Sequence, residues 1–204
     1  MGIRAFVEIN QIYTFQMADK FNTYQEGIDL ELFRSFCEEH GRLMSFSKGE
    51  HFTRQGNMCR HWGFITKGHF AYTVIDSSGN EKIVGFAFQD TLVGDSFSII
   101  KKATSLTDIV AISDTEVITC DATDFRLLLN SDLNIRVGFA ENLFEDIYTR
   151  YLHLHSLSPK ERYLQIIKDC PEILQSISLK QLASYLMITP TYLSQIRKQL
   201  LIEK

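Results

Sequence analysis

SLKQLASYLMITPTYLSQIRKQL, residues 178–200, is the stretch from which the rest of the chain can be read. Ser178 followed three residues later by Gln181 forms a capping box, in which each side chain satisfies the other residue's backbone N–H. Leu179, Leu182, Ala183 and Leu186 supply the apolar face of a short helix. Thr189-Pro190 then starts a second helix, with a hydroxyl at the N-cap and a proline at the first helical position. Ile188 and Leu193 stand at the staple positions that set the angle at which the chain enters this helix. Leu193, Ile196 and Leu200 face inward, and the small Ala183 marks the crossing. Two short helices joined by a tight turn predict a helix-turn-helix. Thr191, Tyr192, Gln195, Lys198 and Gln199 point outward on the second helix, with Arg197 on its flank. Hydroxyls, an amide able to pair with adenine, and cations for phosphates are what a major-groove reader needs. The competing reading is an ordinary helical hairpin with a solvated face.

Upstream, Ser158-Pro159 with Glu161 repeats the start signal, and Pro171 predicts that this helix stops at or before Cys170. Further upstream, Leu133, Val137, Ala140, Phe144, Ile147, Tyr151 and Leu154 recur at alternating spacings of four and three. That heptad-like seam fits a long dimerisation helix over residues 132–156, roughly 36 Å in length. The alternative is a helix packed on its own β-domain. Residues 42–120 change character again, being rich in β-branched and aromatic residues and broken by Gly49, Gly56, Gly63, Gly68, Gly79, Gly85 and Gly94. Short strands between regular turn signals predict a β-sandwich or barrel. Its clearest hairpin joins Phe70–Ile75 to Glu81–Phe88 through a small polar loop. Trp62 and Phe64 are expected to fill the barrel, and a helix at about 29–40 precedes it, with Leu32, Phe33 and Phe36 on one face.

These segments together resemble the Crp–Fnr family of bacterial regulators, over about residues 28–202. Ser158-Pro159-Lys160-Glu161-Arg162-Tyr163 is similar to the helix leading into that family's DNA-binding domain. Lys48-Gly49-Glu50, Gln55-Gly56, Phe64-Ile65-Thr66-Lys67-Gly68 and Gly94-Asp95 match the successive glycine turns of its cyclic-nucleotide-binding β-roll. The resemblance implies that Ser178, Lys180 and Thr189 hold the phosphate backbone and that Thr191 and Gln195 read bases, with Tyr192, Arg197 and Lys198 on the same DNA-binding face. It also implies an effector pocket at Gly94, Asp95, Ser96, Ser105 and Thr107. The chain departs from the family pattern at several places. Asp95 stands for the usual glutamate of the phosphate-binding cassette, and Ser105 for its arginine. Met187 stands for the glycine of the turn, where a left-handed backbone would be strained. Gln195 stands for a base-reading arginine, and the chain ends at Lys204 with little or no β-wing expected.

Bulk composition fits these expectations. Apolar residues at 45% and charged residues at 23% are ordinary for a soluble globular protein. No apolar run reaches the ~18 residues of a membrane span. Residues 1–21 carry no signal-peptide pattern. Net charge is −4, yet residues 158–204 hold seven Lys and Arg against four Asp and Glu, leaving −7 for residues 1–157. An acidic body with a basic tail suits a modular DNA binder. Cys37, Cys59, Cys120 and Cys170 lie far apart and read as buried reduced thiols. His51, His61 and His69 raise the metal-binding cupin enzymes, but the sole His-x-His, His153-Leu154-His155, falls on a predicted helix where its two rings diverge.

The resulting expectation is an α+β chain in three parts. Residues 1–131 form an N-terminal double-stranded β-helix (jelly-roll, cyclic-nucleotide-binding-like) domain, 132–156 the dimerisation helix, and 157–204 the helix-turn-helix domain. The expected function is sequence-specific DNA binding as a cytoplasmic homodimer that regulates transcription, with double-stranded DNA of palindromic sequence as partner and RNA polymerase as a further candidate. No catalytic residue, metal or cofactor is expected. A small-molecule effector is left open, and cyclic AMP is expected to bind weakly or not at all. The competing reading is a ligand-sensing or protein-interaction module with a vestigial helix-turn-helix.

Overall fold

A computed structural model describes residues 21–22, 25–171 and 173–202. The absence of a signal pattern in residues 1–21 concerns a segment that lies, but for Phe21, outside the described residues. A first helix, α1 (Leu30–His40), is started by Asp29, whose carboxylate accepts from Leu32 N at 3.0 Å. Eight antiparallel strands follow: β1 (Arg42–Phe46), β2 (His51–Thr53), β3 (His61–Lys67), β4 (Phe70–Ile75), β5 (Glu81–Ala87), β6 (Leu92–Val93), β7 (Asp108–Ala111) and β8 (Thr115–Asp121). They form two four-stranded sheets, ordered β1-β8-β3-β6 and β2-β7-β4-β5. The short helix α2 (Ser96–Lys101) interrupts the strands between β6 and β7. The predicted hairpin is present, with β5 ending at Ala87. Asp76 Oδ1 closes its loop by accepting from the backbone N–H groups of Ser78 and Asn80, each at 2.9 Å. The turn after β3 needs its glycine. Gly68 has φ +83°, and a Cβ there would lie 2.5 Å from Asp114 O.

Side chains alternate across each sheet, so one face of every strand looks into the roll. Phe46, Ile65, Phe70, Ile109 and Val117 fill the space between the sheets, with Phe46 and Phe70 edge to face at 5.5 Å. Trp62 and Phe64 do not join them, contrary to the sequence expectation. They share the opposite face of β3 and pack outward on α1 and on α3 (Ala122–Ser131), where Trp62 lies 5.9 Å from Phe33 and 4.8 Å from Phe125. Ile65, one residue on, takes the interior, as the two-residue period requires. Cys37, Cys59 and Cys120 sit in this outer layer, and Cys170 in the C-terminal core, all as buried free thiols. Burial pushes the first three thiols up, so none is a thiolate at neutral pH.

The long helix α4 (Leu133–Ser156) is capped by Asp132, whose side chain accepts from Asn134 N at 2.7 Å. One face, with Phe139 buried and Ile135 and Leu143 beside it, packs on the roll. The other carries the heptad-like seam and is exposed, from Leu133 at 73% to Phe144 at 67% and Leu154 at 44%. Ile147 and Tyr151 are likewise more than half exposed.

Four more helices follow among the described residues: α5 (Pro159–Asp169), α6 (Ile173–Ser176), α7 (Leu179–Tyr185) and α8 (Pro190–Ile202). Both capping boxes are formed. Ser158 N donates to Glu161 Oε2 at 2.8 Å, and Ser178 N donates to Gln181 Oε1 at 2.8 Å. Cys170 ends α5 where the proline rule placed it. The single turn α6 had no sequence signal. Tyr163, Ile173, Leu182, Leu186, Leu193 and Ile196 build the core of this unit. Leu179 was expected in the same stripe but is 37% exposed, because the first turn of so short a helix has no neighbour beyond its end. That core is continuous with Phe21, Ile83, Phe86 and Phe88 of the N-terminal part, so the two units share one apolar cluster.

Candidate nucleic-acid interface

The turn between α7 and α8 depends on a residue in the left-handed region. Met187 has φ +59° and is 69% exposed. Its N–H donates to Ser184 O and that of Ile188 to Ala183 O, each at 3.0 Å, a pairing that satisfies carbonyls at the end of α7. Thr189 Oγ1 then caps α8, accepting from Tyr192 N at 3.1 Å. With Leu193 and Ile196 held in the core, Thr191, Tyr192, Gln195 and Lys198 are all exposed on the outer face of α8, and Arg197 is half-buried on its flank. Ser178 and Lys180 are exposed at the start of α7. The eight residues therefore lie on the two starting turns of the motif and along its second helix. Residues 173–202 contain Lys180, Arg197 and Lys198 and no acidic residue, so nothing on this surface repels a phosphate.

Two groups that hold this unit in place had no sequence signal of their own. Arg162, on α5, donates from Nη1 to Leu157 O at 2.9 Å and from Nη2 to Leu186 O at 2.9 Å, tying the end of α4 to the turn before α8. Ser184 Oγ accepts from Ile83 N at 3.0 Å, fastening α7 to the edge strand β5. Arg150 joins the same junction. It pairs with Asp146 at 3.1 Å, donates to Tyr185 Oη at 3.3 Å and to Phe21 O, and lies over the Phe21 ring.

The five residues expected to line an effector pocket converge on Asp95. Its Oδ1 caps α2 by accepting from Ser98 N at 3.0 Å, while Oδ2 accepts from Leu106 N at 3.3 Å. Ser105 is 1% exposed, and its Oγ lies 2.7 Å from both Asp95 Oδ2 and Thr107 O. Gly94 sits against Trp62, and its carbonyl accepts from Tyr72 Oη at 3.2 Å. The space lined by Gly94, Ser96 and Trp62 amounts to about 10 Å3, room for about one water. Lys101 and Lys102 are exposed at the end of α2, Lys102 in the left-handed region. Among the described residues, no group of three or more His, Cys, Asp or Glu could hold a metal ion, and no helix is long and apolar enough to cross a membrane.

Comparison with known proteins agrees with this architecture. Residues 43–132 match the cyclic nucleotide-binding domain family. No curated protein sequence matches the chain. Among solved structures, FixK2 from Bradyrhizobium japonicum superposes with a TM-score of 0.69 at 15% identity, covering 80% of this chain and 85% of that one. CLP of Xanthomonas campestris, a c-di-GMP-responsive global regulator, gives 0.61 at 14% identity, over 82% and 89%. The catabolite activator protein of Thermus thermophilus gives 0.51 at 17% identity, over 83% and 82%. Residues 43–132 thus carry the match to the cyclic nucleotide-binding domain family, and the chain as a whole has the fold of these solved structures.

Proposed function

We propose that this protein is a transcription regulator, not an enzyme, that binds double-stranded DNA as a homodimer through α8. The observation that carries the reading is the outer face of α8, where Thr191, Tyr192, Gln195 and Lys198 are exposed side by side while Leu193 and Ile196 anchor the opposite face. Gln195 can offer an amide to an adenine edge, and Lys180 and Lys198 supply the cations for flanking phosphates. The exposed seam of α4 supports the dimer: all seven apolar or small residues from Leu133 to Leu154 are exposed among the described residues. A two-fold along that seam would present two α8 helices to successive major grooves about 34 Å apart, on a palindromic site in the cytoplasm. RNA polymerase is a further partner on this reading.

Fluorescence anisotropy with a selected duplex and its single-base variants tests it. Gln195→Ala should cost about 1–3 kcal/mol of discrimination at one base pair per half-site. Lys180→Ala should weaken binding to every sequence and lower the salt slope by about one. If both variants bind all duplexes as the parent does, the assignment to α8 fails.

A further inference from the structure

A cleft of about 710 Å3 opens between β5, the end of α4, α5 and the α7–α8 turn. Its size is that of a small-molecule pocket. The walls are mainly aliphatic, including Ile83 and Val84 on β5, Leu154 on α4 and Ile166 on α5. Its charged groups are mostly cationic, Lys82, Arg150 and Arg162 against Asp76. Lys82 is paired with Asp76 at 3.5 Å and Arg150 with Asp146 at 3.1 Å. Arg162 is different, because among the described residues its guanidinium contacts backbone carbonyls only, and its buried Nε has no hydrogen-bond acceptor there. A cation without a carboxylate in an apolar wall favours an anion beside it.

We propose that this cleft binds an amphipathic organic monoanion, a carboxylate on an aliphatic or aromatic body, with the carboxylate at Arg162 and the body between β5 and α5. One uncompensated cation matches one negative charge. Two groups that a sugar would use are already partly engaged, since Gln165 Nε2 donates to Asp169 at 2.6 Å and Ser184 Oγ accepts from Ile83 N. Any occupant touches the strand, the helix end and the turn that together fix the position of α8. On the DNA-binding reading above, on which only this last step rests, the carboxylate is the regulator's effector. Its binding is measured without DNA, so the two readings fail separately.

The test is titration calorimetry of the full chain with decanoate below its micelle concentration, alongside decanol as the neutral counterpart. The expected result is one saturable decanoate site per chain, with decanol weaker by about tenfold or more. Val84→Trp fills the cleft from an exposed strand position and should weaken decanoate by about tenfold or more. Where circular dichroism shows that this variant is not folded, Lys82→Glu, a surface change that brings a negative charge to the rim, decides in its place. Phe144→Glu with Ile147→Glu alters the α4 seam and should leave decanoate binding intact. No saturable heat with the parent chain overturns the proposal, as does equal affinity for decanol, unchanged binding in the cleft variants, or loss of binding in the seam variant.

Discussion

Single residues show where local rules are obeyed and where they are broken. The glycine position of the turn is held by Met187 at φ +59°, a conformation that costs a side-chain-bearing residue roughly 1–2 kcal/mol. Met187→Gly should recover about 0.5–1 kcal/mol after the entropy of glycine is counted. For a chain of this length that is about 1–4 °C in thermal midpoint. A lower midpoint would show that Met187 contributes contacts that offset its strain. His69 breaks a different rule. Burial alone lowers its pKa below the ordinary 6.5, and its ring lies 5.3 Å from Phe88 with Nδ1 buried and unbonded. The fold therefore holds the neutral imidazole, while the unfolded chain takes up a proton as the pH drops through 6.5. Stability from this site is full above that value and declines as the pH falls toward the lowered folded value. Urea unfolding at pH 7.5 and 5.5 should show a smaller acid loss in His69→Gln than in the parent. Part of the loss should remain, because desolvation also lowers the pKa of His61. An identical loss in variant and parent would remove His69 as a source of acid sensitivity.

At the scale of elements, α4 is decisive because its two faces have different fates. The face with Phe139 is covered by the roll, and the face with Phe144, Ile147 and Tyr151 is bare. A single chain thus exposes an apolar stripe of the kind that marks an interaction surface. Phe144→Glu with Ile147→Glu should convert the proposed dimer to folded monomers. The two side chains are exposed within one chain, so the monomer loses little beyond the stacking of Phe144 on Tyr148, whereas a charge buried unpaired at an interface costs about 3–5 kcal/mol. Sedimentation equilibrium measures this directly, and a parent chain that is monomeric at micromolar concentration would refute the seam.

For the whole molecule, the roll and the helix-turn-helix behave as one packed body. Ile83, Phe86 and Phe88 share a cluster with Leu182, Leu186 and Leu193, and the Ser184–Ile83 hydrogen bond spans 101 residues of sequence. On the proposed regulatory reading, a ligand's signal would reach α8 through that contact. It is not expected to come from a cyclic nucleotide at Asp95. Ser105 offers one neutral hydrogen bond where the family resemblance places an arginine, and its hydroxyl is already held by Asp95 and Thr107. Charge-assisted bonds are about twice as strong as neutral ones, and a phosphate enclosed without a countercharge pays for its lost hydration. Calorimetry with cyclic AMP and cyclic GMP should therefore show no affinity tighter than about 100 μM, roughly −5.5 kcal/mol. Micromolar binding of either would require the Asp95–Ser105 contact to open.

By itself the sequence determined whatever depends on neighbours a few residues apart. The capping boxes at Ser158 and Ser178, the stop at Cys170, the hairpin around Asp76 and the helix from Leu133 were legible because each rests on hydrogen bonds or periodicity within one turn or one loop. The exposed residues of α8 were legible for the same reason, since a helix that buries Leu193 and Ile196 must present Gln195 and Lys198 elsewhere. Tertiary structure alone decided what depends on closure of the chain over long separations. It sent Trp62 and Phe64 to the helical layer, because the strand period fixes that two residues share a face but not which face looks inward. It placed Ser184 against β5 and gathered Lys82, Arg150 and Arg162 around one cleft, since contacts between residues tens of positions apart are set by how whole elements pack and leave no periodic trace in the chain.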